Sequence, residues 1–398
     1  MKKLTTLIAV LLLAAPVWAA TPAKEPIKIG EMFPYSVMHD FAVKWQQGWK
    51  MALNEVNASG GVLGHPLEIV SRDDKGNPSE AIKLLEDYKS REHIKLFMGT
   101  AHSHVGLAAS TFAKQNHMLL FRGHGGSSEF TTTAGHDLYL TIQPPCDTWA
   151  GILAEKAAQS GKKRWAFVAP DFALSRSVID GFQRDIKQLV PQTEFVETQY
   201  FPIGKLDAGA VTQAVAHAKP DGIFVVMWGT DYLKFVREGR KRGLFNDRLV
   251  IGPYPGYSAF IKPLGNEAPV GWYSAYGYPV DKIEGQSHKT FVTNFRKAYG
   301  DDPDLSSLYG YGIVKILAQA INAVGSDDPD KVVTYIKANQ FDLPGNMLSF
   351  RADGVSSMGD WVGYTGFRDG VPTILNPEYV NPAKYLPSAE ENMAKWKK

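Results

Sequence analysis

Cysteine is almost absent: Cys146 is the one thiol in 398 residues. A lone cysteine permits no intramolecular disulfide and no cysteine-based metal knot, so stability has to come from packing. Beside Pro144 and Pro145 it reads as a small buried hydrophobe. Long apolar runs are as scarce. The one at the amino terminus, Leu4 to Ala15, is shorter than the ~20 residues that span a bilayer, and no second candidate follows. Neither charge sign dominates: 43 Lys and Arg against 41 Asp and Glu leave a net charge of +2, with the basic residues scattered. That balance implies neither nucleic acid nor an anionic membrane as a partner. Walker A and dinucleotide fingerprints are missing, as are a Gly-x-Ser-x-Gly nucleophile elbow, a His-Glu-x-x-His helix and any internal repeat.

What is present begins with an export signal. Lys2 and Lys3, the apolar run and Val17-Trp18-Ala19 predict a secretory signal peptide over residues 1–19, cleaved after Ala19. The rest is long enough for two or three domains of roughly 150 residues. Strand and helix signals then alternate: strand from Ile27, an amphipathic helix carrying Trp45, Trp49, Ala52, Leu53 and Val56, an exit through Gly60-Gly61, and a strand at Leu67 to Val70. Asn77 reads as a helix N-cap, Pro78 as the first helical residue and Glu80 as the capping-box partner. Strands are expected at 95–98 and 118–121, with a helix at 105–115 between them. A fresh series starts after Pro145: helices at 149–159, 177–189, 208–218 and 232–242, alternating with strands at 165–168, 194–200, 222–227 and 249–251. This is the pattern of parallel sheets covered on both faces, an α/β fold. Asp369-Gly370 marks a hairpin between strands at 361–367 and 371–375, and the polar tail after Asn376 reads as surface coil with a short helix.

The wording of Gly48 to Gly64 and of Arg72 to Ala81 resembles the amino-terminal lobe of the leucine-type periplasmic binding proteins, the extracytoplasmic receptors of branched-chain amino acid ABC importers. The resemblance covers nearly the whole mature chain. It implies a type I periplasmic binding fold, two Rossmann-like α/β lobes joined by a three-crossing hinge in the Venus-flytrap manner. The first lobe would comprise residues 26–143 and 279–343, the second 144–274 and 345–375, and a tail 376–398, with the strand around Met347 to Phe350 returning to the second lobe. It further implies a monomeric periplasmic receptor, not an enzyme and without a cofactor, that binds one small organic solute and meets a membrane permease. A periplasmic sensor for a signalling partner would share the fold, and a secreted hydrolase is the alternative of another class.

Ligands in such sheets gather beyond the carboxyl ends of strands, which selects the candidate site. Ser103 and His102 follow the strand at 95–98, where the family bonds a ligand carboxylate. His124, Gly125 and Ser127 precede Glu129-Phe130-Thr131, which resembles the family's Glu-Leu-Thr; Arg122 before them could pair with a carboxylate. Phe172 lies in Pro170 to Arg176, similar to the family's Asp-Tyr-x-Tyr-Gly-Arg loop with Leu174 in place of a tyrosine, and Trp228 is a candidate stacking wall. Tyr254 stands where amino-acid-binding members carry the glutamate that holds the α-ammonium, and a tyrosine cannot replace that charge. The expected solute is therefore a carboxylate or amide with an apolar or aromatic body. Tyr35 would be a hinge-side contact and Tyr276 lies on the return crossing. His102-x-His104 sits in a histidine-rich stretch without acidic residues at ligand spacing, so satisfied histidines are expected and no metal.

Overall fold

The computed structural model describes residues 24–124 and 126–396; the expected signal peptide and Gly125 lie outside the described residues. The first lobe opens with β1 (Ile27–Phe33), α1 (His39–Ala58), β2 (Leu67–Asp73), α2 (Pro78–Ser90), β3 (Leu96–Gly99), α3 (Ser103–Asn116), β4 (Leu119–Arg122) and β5 (Tyr139–Thr141). These strands form a five-stranded parallel sheet in the order β2-β1-β3-β4-β5. Parallel strands need crossover helices, and the helical spacing of Trp45, Trp49, Ala52 and Val56 supplies one, burying that face of α1. The helix stops where Gly61, at φ +76°, leaves its would-be Cβ only 2.0 Å from the His65 carbonyl oxygen.

The chain then crosses to α4 (Asp147–Gln159), β6 (Arg164–Pro170), α5 (Ala173–Leu189), β7 (Glu194–Phe201), α6 (Ala208–His217), β8 (Gly222–Val225), α7 (Gly229–Lys241), β9 (Leu249–Gly252), α8 (Ser258–Ile261) and β10 (Tyr273–Gly277). It returns through α9 (Gln286–Tyr299), α10 (Leu305–Val324), α11 (Pro329–Ala338), β11 (Phe341–Leu343) and β12 (Asn346–Leu348). A third crossing leads to β13 (Asp360–Arg368) and β14 (Val371–Val380), and the short α12 (Ala389–Met393) lies near the end. The second sheet runs β14-β13-β10-β9-β8-β6-β7, with β13 and β14 antiparallel through the Asp369-Gly370 turn.

Helix α10 packs along α1 at a glycine crossing: a Cβ on Gly48 would lie 2.0 Å from the Ser307 carbonyl oxygen, and one on Gly310 2.6 Å from that of Trp45. This approach sets the floor of the site, since Ser306 and Tyr309 ride on α10.

Three expectations change. The strand near Met347 joins no large sheet: Asn346–Leu348 pairs with Phe341–Leu343 in a two-stranded ribbon. The Phe350 ring that follows packs on Phe121 of β4 at 5.5 Å, so the aromatic side chain anchors this segment to the first lobe. Asn77 does cap α2, accepting from the N–H of Ser79 and Glu80 at 2.8 and 3.2 Å. The Glu80 carboxylate, however, meets Lys75 at 3.3 Å, because the Asn77 N–H is already taken by the Asp74 carbonyl. The tail is more than coil. β14 runs on to Val380, Tyr385 donates to Glu155 of α4 at 2.9 Å, Asn392 to Asp353 at 2.8 Å, and the Trp396 indole to the Thr131 carbonyl at 2.9 Å. The carboxyl terminus thus ties the second lobe to the first on a path of its own.

Candidate functional site

Loops leaving the carboxyl ends of the parallel strands in both sheets enclose a cavity of about 50 Å³. From the first-lobe side come Met38 and Phe41 after β1, Ala101 and His102 after β3, and His124 after β4, with Gln143 in the first crossing. The second lobe supplies Phe172 and Leu174 after β6, Trp228 after β8, and Tyr254 and Phe260 after β9, with Tyr276 at the end of β10. The lobes touch here. The Phe172 ring meets His102 and His104 edge-on at 5.7 and 5.6 Å, Phe41 meets Tyr257 at 5.8 Å and Phe260 at 6.4 Å, and the Tyr257 hydroxyl donates to Asp304 at 2.7 Å.

Among the described residues, no Asp, Glu, Lys or Arg lines this cavity. Burial, with the Arg122 charge behind it, holds the His124 pKa down at about 3. Its Nε2 lies 3.0 Å from the Ser306 hydroxyl, its ring sits among Phe33, Phe41, Trp45 and Tyr309, and the Gln143 side chain hydrogen-bonds to it. Burial and then His104 depress His102 to about 4, and its buried Nδ1 has no hydrogen-bond partner. Both imidazoles are therefore neutral at pH 7. Burial raises the Tyr254 and Tyr276 phenols above their ordinary pKa, which keeps them protonated donors. The Tyr254 ring is fixed by Trp149, Trp228, Phe260 and Tyr276, with centroids 5.5 to 6.1 Å away. The cavity can thus offer neutral donors to a polar head among aromatic walls.

Of the residues selected from the sequence, His102, His124, Phe172, Trp228, Tyr254 and Tyr276 meet at this cavity. Ser103 does not line it: buried as the first residue of α3, its hydroxyl has no hydrogen-bond partner. Ser127 also stands apart, capping a one-turn helix by accepting from the Glu129 N–H at 3.4 Å. Tyr35 turns inward, donating to buried Glu31 at 3.0 Å and accepting from the Trp49 indole at 3.3 Å, since Glu31 needs that donor alongside Ser71 and Trp45. Gly125 lies outside the described residues. Arg122 lies under the site, donating to Thr100 at 3.0 Å and stacked 3.7 Å over Phe130.

The family model described as "Periplasmic binding protein" matches residues 26–362. The chain belongs to the periplasmic binding protein family. It is 24% identical over 328 residues, 81% of this chain and 85% of the relative, to a Leu/Ile/Val-binding protein homolog of Brucella abortus. It is 22% identical to the leucine-, isoleucine-, valine-, threonine- and alanine-binding protein of Pseudomonas aeruginosa, covering 82% and 86% of the two chains. In structure it is similar to an ABC transporter solute-binding protein of R. palustris in complex with benzoate, with TM-score 0.78, 18% identity and coverage of 90% and 98%. Members of this family are substrate-binding proteins of the leucine-type ABC transporters, not enzymes.

As a periplasmic binding protein the chain brings six lining residues that are not among the selected candidates, Met38, Phe41, Ala101, Gln143, Leu174 and Phe260, of which only Leu174 is noted in its loop from the sequence. Phe41, Leu174 and Phe260 sit in the first turns of helices following selected strands, so extending the search one turn into each helix reaches them. Gln143 carries no such signal; it arrives through the crossing.

Proposed function

We propose that this protein is the periplasmic solute receptor of an ABC importer whose solute is an apolar or aromatic carboxylate or amide lacking an ammonium group. One observation carries the reading: among the described residues twelve line the cavity, and none of these bears a charge at neutral pH. An α-ammonium moved there would be desolvated without a counter-charge, at a cost of several kcal/mol. A carboxylate fares better, because the first turn of α3 presents N–H groups that no His102 side-chain cap engages, and Tyr254 and Gln143 add neutral donors. The benzoate bound by the R. palustris relative is a solute of this class. Solute bridging both lobes biases them toward each other by its greater affinity for that state, and the joined lobes present the surface a permease reads. The lobes move as two units, residues 26–143 with 279–343 and residues 144–274 with 359–375, and residues 345–358 ride on the first.

The test is a thermal-shift screen of the mature protein against aromatic acids, aliphatic acids, amides and amino acids. A solute at 100 times its Kd adds about 2.7 kcal/mol of stability. Shifts with aromatic or aliphatic acids and none with leucine or valine are expected. Tight binding of leucine or valine would refute the reading.

A further inference from the structure

The enclosed cavity is only part of the space between the lobes. It shares Met38, Phe41, His102, Trp228 and Phe260 with an outer vestibule of about 630 Å³ that opens to solvent. The sizes differ in kind: 50 Å³ holds little beyond a polar head, whereas sites for whole organic ligands run to roughly 300–1,000 Å³. The vestibule walls are again strand-end loops of both lobes. Two aliphatic side chains stand exposed along them, Val37 after β1 at 58% and Ile203 after β7 at 44%. Ile203 is held there. Asp231 of α7, 5% exposed, accepts from the Gly204 N–H at 2.7 Å and the Leu206 N–H at 3.3 Å, stapling the loop that carries it. On the other wall Gly76 lies against His102 and Val37, where a Cβ would come within 2.9 Å of the His102 ring and 3.4 Å of Val37. Among the described residues, Lys75 of the vestibule pairs with Glu80 at 3.3 Å and Asp231 with the loop it staples. Apart from His39, His104 and Thr230, what remains on offer is apolar surface continuous with the inner cavity.

We propose that this vestibule is the second half of the solute site and takes an apolar chain or second ring carried opposite the polar head. The solute class narrows to extended aryl or aryl-alkyl acids and amides, larger than a bare monocyclic acid. This rests on the head-group reading above, and the experiment separates the two.

Isothermal titration would use benzoate and its para-ethyl, para-butyl and para-hexyl derivatives on the mature protein, on Ile203→Ser and on Val37→Ser. Both substituted positions are exposed, so folding is not at stake. Kd is expected to tighten roughly three-fold per added methylene through butyl. Each variant should lose part of that gain while binding of benzoate itself stays within about two-fold. Benzoate binding with no gain from the chain, or a gain untouched by either variant, overturns the proposal and leaves the vestibule to permease contact. Binding of 4-butylbenzylamine as tightly as the para-butyl acid would uphold the vestibule and refute the head assignment, which excludes an ammonium. Silence of every aromatic probe overturns the vestibule proposal, and silence of the aliphatic acids and amides as well overturns the head-group reading.

Discussion

Replacing Tyr254 by phenylalanine removes one oxygen from the centre of the proposed head-group site and leaves the ring. The ring's packing against Trp149, Trp228, Phe260 and Tyr276 should survive, so the melting temperature should move by no more than about 2 °C, as a change well under 1 kcal/mol would do in a protein this size. Binding should respond strongly. Burial keeps the phenol protonated throughout the working pH range, so it can only donate to an anionic head. A hydrogen bond to a charged group is worth about 1.5–3 kcal/mol, which is roughly a 10- to 150-fold loss in affinity for a carboxylate. For the matching primary amide the expected loss is smaller, about 0.5–1.5 kcal/mol. Calorimetric titration of benzoate and benzamide into both proteins at pH 7.5 makes the comparison. A carboxylate Kd within two-fold of the parent's would refute the assignment of Tyr254 as the head-group donor and move that role to Gln143 and the α3 N–H groups.

Because burial holds His102 and His124 at about 4 and about 3, carboxylate affinity should be flat between pH 6 and 8; a titration with a midpoint near 6.5 would show a cationic imidazole in the site. Asp360, buried at the start of β13 near the Trp149 indole, has its pKa raised by burial from 3.8 to about 7. The folded protein thus takes up this proton more readily than the unfolded chain. Its contribution is full below about pH 4 and lost as pH rises through about 7, on the order of 4 kcal/mol across that window. Asp360→Asn should flatten that part of the pH dependence in urea titrations at pH 4.5 and 8, and parallel curves for the two proteins would count against it. Gly310→Ala drives a methyl into the Trp45 carbonyl and should cost about 1–3 kcal/mol, read as a lowered melting temperature. It should also weaken solute binding, since α10 carries Ser306 to His124.

Most of the fold was legible in the sequence because it rests on local signals that agree with one another. The helical period of Trp45, Trp49, Ala52 and Val56 and the Asn77-Pro78 start each point to one element, and sheets built from alternating units leave few alternatives. The ribbon at 341–348 pairs locally across Pro344-Gly345, but its attachment to the first lobe, which escaped, involves Phe350 meeting Phe121 more than two hundred residues away in the chain. The tail escaped for the same reason: Trp396 finds Thr131, and Tyr385 finds Glu155, by tertiary contact alone. At the site the division is sharper. The strand-end rule located the loops, and in Phe172, Trp228 and Tyr254 it located the walls, because a large side chain on a short loop has few places to go. It did not bring Tyr35, Ser103 or Ser127 to the cavity wall: Tyr35 and Ser127 are polar groups with a choice between ligand and protein, and the Ser103 hydroxyl is buried without a hydrogen-bond partner. Tyr35 turned to Glu31, a carboxylate whose burial raises its pKa to about 7 and which draws in every nearby donor. Ser127 turned to the adjacent backbone. Whether a hydroxyl beside a pocket faces the ligand depends on which acceptors the rest of the fold leaves in need, and that is settled only when both lobes and all their crossings are in place.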